Sequence, residues 1–155
     1  GIAIGIKTAD CVPILLADRK RRVVGAVHAG WRGSAHKIAT RAVELLISSF
    51  SSSPDDIIVA IGPAIGPCCY EVDEPVFHAF DNTPGQQHAF TEGEKQGRWM
   101  CDLTEINRLQ LQHTGITREN IFSADLCTSC RPDIFFSHRG EGGDTGRQIS
   151  FIASL

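Results

Sequence analysis

Hydrophobic residues near the start of the chain occur in short runs that are typical of strands. Residues 2–6, 12–17 and 23–28 are mostly apolar, and the polar, basic segment 18–22 predicts a hairpin turn. We expect the first two runs to pair with each other and the third to follow the turn. The run 57–61 is apolar at every position, which is typical of a strand buried on both faces.

From Ser34 the hydrophobic period changes to that of a helix. This is the longest helix that the sequence predicts, and the serine-rich segment before Pro54 ends it. Its predicted apolar face is formed by Ile38, Ala42, Leu45, Leu46 and Phe50.

Two further helices are predicted around a polar stretch in the second half of the chain. Residues 74–80 favour a short helix. Residues 81–98 are polar and contain glycine, so we expect a mobile excursion there. Asp102 and Glu105 then have the spacing of a capping box before a helix over 103–111.

The last part of the chain predicts strands at 121–126, 134–137 and 149–152. Strands therefore alternate irregularly with three helices, which indicates an α/β fold in the broad sense, of the mixed α+β kind. The 155 residues, 42% hydrophobic and 21% charged, suffice for one globular domain over 1–155.

Charge and hydropathy narrow the range of partners. The formal net charge of -3 gives no overall attraction to nucleic acid or to an anionic membrane, so we expect neither as a partner. We find no apolar run of membrane-spanning length and no secretory leader pattern in the sequence, and we expect a cytoplasmic protein. The sequence leaves the oligomeric state open.

Cys11 and His28 each interrupt an apolar strand run, where an ionisable group is costly unless it has a partner. Thiolate and imidazole are both zinc ligands, and a catalytic pair is the other chemical interpretation. A small buried thiol and a hydrogen-bonded core histidine are the structural alternatives. Asp10 could orient a ligand, act as a general acid or base, or simply form a turn.

Three arginines occur in segments suited to anion binding. Arg32 lies in Gly-Trp-Arg-Gly at a predicted strand-to-helix junction, where backbone N–H groups and a guanidinium can face one anion. Arg139 and Arg147 flank a glycine-rich stretch and could hold phosphate. A tight turn packed on Trp31 and solvated surface arginines are the alternatives.

The six cysteines are expected to be reduced thiols, since the chain has enough core without disulfides. Cys127 and Cys130 have Cys-x-x-Cys spacing. Cys68 and Cys69 could complete a four-thiolate zinc site with them, but adjacent cysteines rarely bind one tetrahedral ion, so we do not expect that site.

Several chemistries are disfavoured by missing motifs. The sequence lacks a P-loop, a dinucleotide fingerprint and the Gly-x-Ser-x-Gly nucleophile motif. The zinc base-deaminase signature is also missing. The six histidines include no His-x-His pair, so a multicopper cluster is difficult to build and copper is disfavoured.

Four segments carry a resemblance to a known family, and they follow one another along nearly the whole chain. They are Thr-Ala-Asp-Cys-Val-Pro at 8–13, Val-His-Ala-Gly-Trp-Arg-Gly at 27–33, Ile-Gly-Pro-Ala-Ile-Gly at 61–66 and Phe-Phe-Ser-His-Arg at 135–139. With these the chain resembles the YfiH/laccase-domain family, also called polyphenol oxidase or purine nucleoside phosphorylase-like.

The resemblance implies a layered α/β sandwich with mixed sheets and a zinc ion held by two histidines and one cysteine. Cys11 matches the cysteine and His28 the second histidine. The first histidine lies in an upstream motif that this sequence does not contain, and with the start at Gly1 we expect the N-terminal portion of the domain to be missing. The family tends to carry a second arginine where this chain has Gly140, which weakens the assignment of Arg139.

The resemblance also implies a zinc-dependent purine nucleoside phosphorylase that uses adenosine or inosine with phosphate, with adenosine deamination as a further activity. Asp10, Cys11 and His28 would then be catalytic, with Cys11 and His28 as metal ligands, and Arg32, Arg139 and Arg147 would bind substrate or phosphate. The alternatives are a Cys-His hydrolase or amidase acting on a cell-wall precursor, a polyphenol oxidase, and a binding module without catalysis.

Overall fold

The computed structural model describes residues 1–83 and 85–154, and the elements below are those of this part of the chain. The strands are β1 (Ala3–Thr8), β2 (Val12–Asp18), β3 (Val23–Ala29), β4 (Ile57–Ile61), β5 (Glu71–Asp73), β6 (Phe90–Glu92), β7 (Arg98–Cys101), β8 (Ile121–Ser123) and β9 (Gln148–Ala153). The α-helices are α1 (Trp31–Ala35), α2 (Ile38–Phe50), α3 (Glu74–His78), α4 (Gln86–Ala89) and α5 (Leu103–His113). Short 3-10 turns, Pro54–Asp56 and Arg118–Asn120, precede β4 and β8.

The described residues form a four-stranded sheet in the order β3-β2-β4-β8. The hairpin predicted around 18–22 is confirmed, since β2 and β3 pair antiparallel with Asp18 opposite Val23. β2 also pairs antiparallel with β4, and β4 pairs parallel with β8. Helix α2 packs against β3 and α5. The mixed α+β class predicted from the sequence is confirmed, with five α-helices in this part of the chain rather than three.

The predicted pairing of the first two apolar runs is wrong. β1 pairs antiparallel with β9 in a two-stranded ribbon, with Ala3 opposite Ala153 and Thr8 opposite Gln148. The reason lies at Asp10, whose φ of 83° turns the chain between β1 and β2. A left-handed residue at this junction directs β1 out of the four-stranded sheet and toward the C-terminal strand.

The long helix begins later than predicted, and its buried face overlaps the predicted one only in part: Leu46 is buried and Ile38 and Ala42 pack against the core, whereas Leu45 and Phe50 are exposed. Lys37 has a φ of 56° and separates α1 from α2, so the helix does not run continuously from Ser34. Its buried residues are Ala39, Val43 and Leu46, whereas Leu45 is 58% exposed and Phe50 is 47% exposed. The face toward β3 and α5 therefore follows the i, i+4, i+7 spacing that begins at Ala39.

Residues 81–98, predicted to be an excursion, contain α4, β6 and the start of β7, all after Pro84, which lies outside the described residues. β6 and β7 join β5 in an antiparallel sheet of order β5-β7-β6. Phe90 is buried against the core, and Phe77 stacks on Trp99 with ring centroids 4.3 Å apart. Apolar residues are too sparse in this stretch for the sequence pattern to predict these strands. In the structure, Phe77, Phe90 and Trp99 form a packed aromatic cluster.

Two other predicted elements differ in extent. Residues 134–137 do not form a strand. The N–H groups of Ile134 and Phe135 both donate to the carbonyl of Arg131, which closes a turn that includes Ile134, and residues 135–137 are irregular. Strand β8 ends at Ser123 instead of 126. The predicted cap of α5 is confirmed, since Asp102 Oδ1 accepts from the N–H of Glu105 at 2.8 Å.

Candidate active site

A cavity of about 470 Å³ opens where the β1–β2 junction, the β3–α1 turn and the C-terminal loop meet. All six residues that the sequence analysis selected line this cavity. The lining residues are Ala9, Asp10, Cys11, His28, Gly30, Trp31, Arg32, Gly33, Ile65, Tyr70, Leu103, His138, Arg139 and Arg147.

Cys11 and His28 reach the cavity from the same end of the β2–β3 hairpin. Val12 lies opposite Ala29 and Pro13 opposite His28, so Cys11, which directly precedes β2, is next to the end of β3. A Cβ on Gly30 would lie 3.0 Å from Cys11 Sγ, so a glycine at 30 lets the β3–α1 turn pass close to the thiol. Burial raises the pKa of Cys11, the Asp10 carboxylate raises it further, and Arg147 opposes both.

Asp10 is buried and joins three separate segments. Its Oδ1 accepts from the hydroxyl of Thr128 at 2.7 Å, and its Oδ2 accepts from the N–H of Arg139 at 2.7 Å. Its backbone carbonyl accepts from the N–H of Ile65 at 2.9 Å. These bonds hold a residue with a positive φ beside Cys11, and each carboxylate oxygen already has a donor.

The three arginines give the cavity a positive charge. Arg32 lies over the ring of Trp31, with Cζ 4.2 Å from the ring centroid. Arg139 Nη1 donates to the carbonyl of Glu71 at 2.9 Å. Arg147 Nη1 donates to the carbonyls of Thr145 and Gly146, each at 2.7 Å. Each guanidinium has further N–H groups, and three cations face one lining carboxylate, so the cavity suits an anionic ligand.

Two polar lining residues were not selected as site residues from the sequence. Tyr70 ends the loop that follows β4, and burial raises its pKa to about 12, with Cys101 adding to the shift and Arg139 opposing it. Its phenol therefore stays protonated near neutral pH and can donate a hydrogen bond. His138 lies between Ser137 and Arg139, and its place in the motif at 135–139 was the signal available for it.

The metal-binding capacity of the chain is divided between two places. Cys11 and His28 offer a thiol and an imidazole, a donor set that fits zinc but needs a third protein ligand for a catalytic site. A second possible metal site is a group of His, Cys, Asp or Glu side chains with at least three members. Within residues 1–83 and 85–154, one such group has all its ligand atoms within 4.8 Å of one another. It consists of Cys68, Cys69, Cys127 and Cys130, called the cysteine cluster below.

The cysteine cluster brings together the four thiols that were not expected from the sequence to share one zinc ion. The Sγ atom of Cys130 lies 3.5 Å from that of Cys68 and 3.4 Å from that of Cys69. All six cysteines are free thiols in the structure. The sequence spacing of Cys68 and Cys69 disfavoured a shared ion, but the turn that contains them directs both sulfur atoms toward Cys130.

The fold and the sequence place this chain in a family of known proteins. Residues 1–154 match the family described as multi-copper polyphenol oxidoreductase laccase, and the chain belongs to this laccase/YfiH family, as the resemblance indicated. None of the helices in residues 1–83 and 85–154 combines the length and the hydropathy that a membrane span requires.

Individual relatives cover nearly all of this chain. It is 43% identical over 153 residues to the purine nucleoside phosphorylase YlmD of Geobacillus stearothermophilus, covering 98% of this chain and 56% of that protein. It is 38% identical to YlmD of Bacillus subtilis, also called a purine nucleoside phosphorylase, over 93% of this chain and 52% of that protein. The crystal structure of the hypothetical protein YfiH of Bacillus licheniformis matches with a TM-score of 0.93 at 44% identity, covering 96% of this chain and 56% of that one. The chain thus spans about half the length of the relatives it matches.

Proposed function

We propose that this chain supplies the nucleoside and phosphate site of a zinc-dependent purine nucleoside phosphorylase that acts on adenosine or inosine. One observation carries the proposal: Cys11 and His28 line the same cavity as Arg32, Arg139 and Arg147. Potential metal ligands and phosphate-binding cations therefore face one space. The names of the relatives, purine nucleoside phosphorylases, support the same activity.

The size and lining of the cavity fit a nucleoside. A volume of about 470 Å³ lies within the range of about 300–1,000 Å³ that is usual for small-molecule sites. Ile65, Tyr70 and Leu103 give apolar surface for a planar base, and the guanidinium groups give charge for phosphate. The apolar residues would contact the base and the arginines would contact the phosphate, with the ribose between them.

Cys11 and His28 would hold the zinc ion, together with a third ligand that the family resemblance places upstream of this sequence. Bound zinc supplies a Lewis acid, or an activated water for removal of the adenine amino group. If zinc activates a water, adenosine deamination is a further activity of the same site.

The chain's own residues would orient the two substrates. In phosphorolysis an oxygen of hydrogen phosphate bonds to C1′ of the ribose, the bond from C1′ to N9 breaks, and the purine leaves with the proton that the hydrogen phosphate loses. Arg32, Arg139 and Arg147 would hold the phosphate and neutralise its charge near C1′. Tyr70 would donate a hydrogen bond to the base or the ribose. Asp10 would keep the segment that carries Cys11 in place.

Release of hypoxanthine from inosine tests the proposal directly. We expect free base and ribose 1-phosphate to form only when phosphate is present. Chromatography measures both products, and the assay uses this chain and a longer protein that includes the upstream segment. Adenosine is the parallel substrate, where inosine formation reports deamination and adenine reports phosphorolysis. If the longer protein holds zinc that is lost in Cys11→Ser, yet releases no base from either nucleoside, the proposal fails.

A nucleophilic Cys11 with His28 as its base is the main enzymatic alternative. Burial and the adjacent carboxylate raise the pKa of Cys11, which disfavours a free thiolate. Thiol alkylation separates the two functions, since a nucleophile is protected by substrate, whereas a metal ligand is protected by zinc. Elemental analysis of the longer protein beside its Cys11→Ser variant reports the metal held at Cys11: a loss of zinc supports the proposal, a loss of copper supports the oxidase that the family description names, and no loss supports a binding module.

A further inference from the structure

The cysteine cluster lies outside the candidate active site and joins two loops that are distant in sequence. Cys68 and Cys69 lie in the loop between β4 and β5, and Cys127 and Cys130 lie in the loop after β8. None of the four lines the cavity that holds Cys11 and His28. Neither the phosphorolysis proposed above nor the third ligand at Cys11 and His28 involves these thiols.

The positions of the sulfur atoms suit a tetrahedral ion. A zinc ion bonded to four thiolates at about 2.3 Å places neighbouring sulfur atoms about 3.8 Å apart. In the cluster, Cys130 Sγ is 3.4 Å and 3.5 Å from two of the others, and all four sulfur atoms lie within 4.8 Å of one another. Small shifts of the side chains therefore suffice to surround one ion.

The backbone around the cluster supports thiolate ligands. The N–H of Gly66 donates to Cys127 Sγ at 3.2 Å, as N–H groups do at metal-bound sulfur. A Cβ on Gly66 would lie 3.3 Å from the Cβ of Cys127 and 3.4 Å from Cys68 Sγ, so glycine keeps this approach open.

The turn geometry explains how adjacent cysteines face one point. The N–H groups of Cys69 and Tyr70 both donate to the carbonyl of Gly66 at 3.0 Å, which closes a tight turn at Cys68 and Cys69. This turn brings both side chains to Cys130. Cys68 and Cys130 are exposed, so an ion can reach the cluster from solvent.

We propose that Cys68, Cys69, Cys127 and Cys130 bind one zinc ion in a closed, four-thiolate structural site. The site would connect the loop that carries Ile65 and Tyr70 to the loop that carries Thr128. Both loops reach the active-site cavity, the first by lining it and the second through the hydrogen bond from Thr128 to Asp10. The ion thus stabilises one wall of the cavity without contacting substrate.

Cobalt substitution tests the site on the unaltered 155-residue chain. After reduction and removal of metal, we expect added Co²⁺ to give an intense sulfur-to-cobalt charge-transfer band and the visible bands of a tetrahedral tetrathiolate. One equivalent of Zn²⁺ should remove both. If reduced protein gives no tetrathiolate spectrum, the proposal is wrong, whatever its catalytic activity.

Matched variants assign the metal to the cluster rather than to Cys11. We expect Cys11→Ser to retain about one zinc ion per chain, and Cys127→Ser with Cys130→Ser to lose at least about tenfold in zinc content. Ser129→Ala, between the two altered cysteines, keeps all four thiols and should bind zinc normally. Loss of zinc in Cys11→Ser with retention in the double variant would overturn the assignment.

Counting of free thiols distinguishes zinc from disulfide formation. Protein purified without reductant and then denatured with chelator should titrate six thiols if the cluster held zinc. A value two or four lower, together with no bound metal, would mean that sulfur atoms such as those of Cys69 and Cys130 had been oxidised to disulfides. That result also overturns the proposal.

Discussion

Thr128 donates its hydroxyl hydrogen to Asp10 Oδ1 across 2.7 Å, although the two residues are 118 positions apart in the chain. Both side chains are buried, and Thr128 lies between two residues of the cysteine cluster. This bond connects the loop after β8 to the segment that carries Cys11.

Removal of that hydroxyl is expected to destabilise the fold. Thr128→Val keeps the shape of the side chain but leaves the buried Asp10 oxygen without this donor, which we expect to cost about 1.5–3 kcal/mol of unfolding free energy. Thr128→Ser keeps the donor and should cost less. Urea denaturation measures both, and equal losses in the two variants would contradict the importance of the bond.

The cavity arginines are expected to affect phosphate more than nucleoside. Arg32→Ala and Arg147→Ala should each raise the KM for phosphate by about tenfold, equivalent to about 1.4 kcal/mol, because a charge-assisted contact is lost. Arg131→Ala is the control, since Arg131 lies outside the cavity and pairs with Asp133. Steady-state kinetics with phosphate varied at saturating inosine gives the comparison. A rise of the same size in Arg131→Ala would argue against a phosphate site in the cavity.

Asn107 connects α5 to α1, the helix that carries Arg32. It is fully buried, and its Nδ2 donates to Ser34 Oγ and to the carbonyl of Leu103, each at 2.8 Å. We expect Asn107→Ala to lower the unfolding free energy by about 2–3 kcal/mol, through two lost hydrogen bonds and a small cavity. Gln112→Ala on the same helix is the control and should change little. Chemical denaturation measures the unfolding free energy of both variants. Equal values for Asn107→Ala and Gln112→Ala would refute this role.

Asp18 predicts a dependence of stability on pH. Burial opposes ionisation of this carboxyl, but the N–H groups of Arg21 and Lys20, which donate to Oδ1 at 2.8 Å, help to lower its pKa below the ordinary value. A lowered folded pKa means that the carboxylate stabilises the fold fully above the unfolded pKa of about 3.9. That contribution is lost as pH falls through the folded pKa.

Asp18→Asn should therefore be less stable than the unaltered chain by about 1 kcal/mol at neutral pH, since a charge-assisted bond is replaced by a neutral one. The difference should shrink in acid, below pH of about 4. Thermal denaturation as a function of pH measures it, with Asp144→Asn in the exposed loop as control. A difference that stays constant down to the acid limit would rule out the carboxylate as its source.

Local patterns predicted the parts of the fold that depend on neighbouring residues. The β2–β3 hairpin follows from two apolar runs around a polar turn, and the cap at Asp102 follows from a three-residue spacing. The pairing of β1 with β9 could not be predicted in this way. It depends on a positive φ at Asp10 and on a partner strand at the opposite end of the chain.

The site residues could be predicted from local motifs, whereas the cysteine cluster depends on the tertiary structure. The six selected residues were found because each lies in a short motif, and the fold brings those motifs to one cavity. For the cysteine cluster, the adjacent positions of Cys68 and Cys69 in the sequence disfavour a shared ion. What decides it is the turn closed on the carbonyl of Gly66, together with a second loop more than fifty residues away.

The register of the β1–β9 ribbon sets the distance between two charged parts of the active site. Thr8 lies opposite Gln148, so the ribbon ends just before Asp10 on one strand and just after Arg147 on the other. A slip of two residues would keep every side chain on its present face, yet it would move Arg147 by about 7 Å relative to Cys11. Changes in the ribbon strands, outside the cavity, are therefore expected to alter the proposed phosphate site.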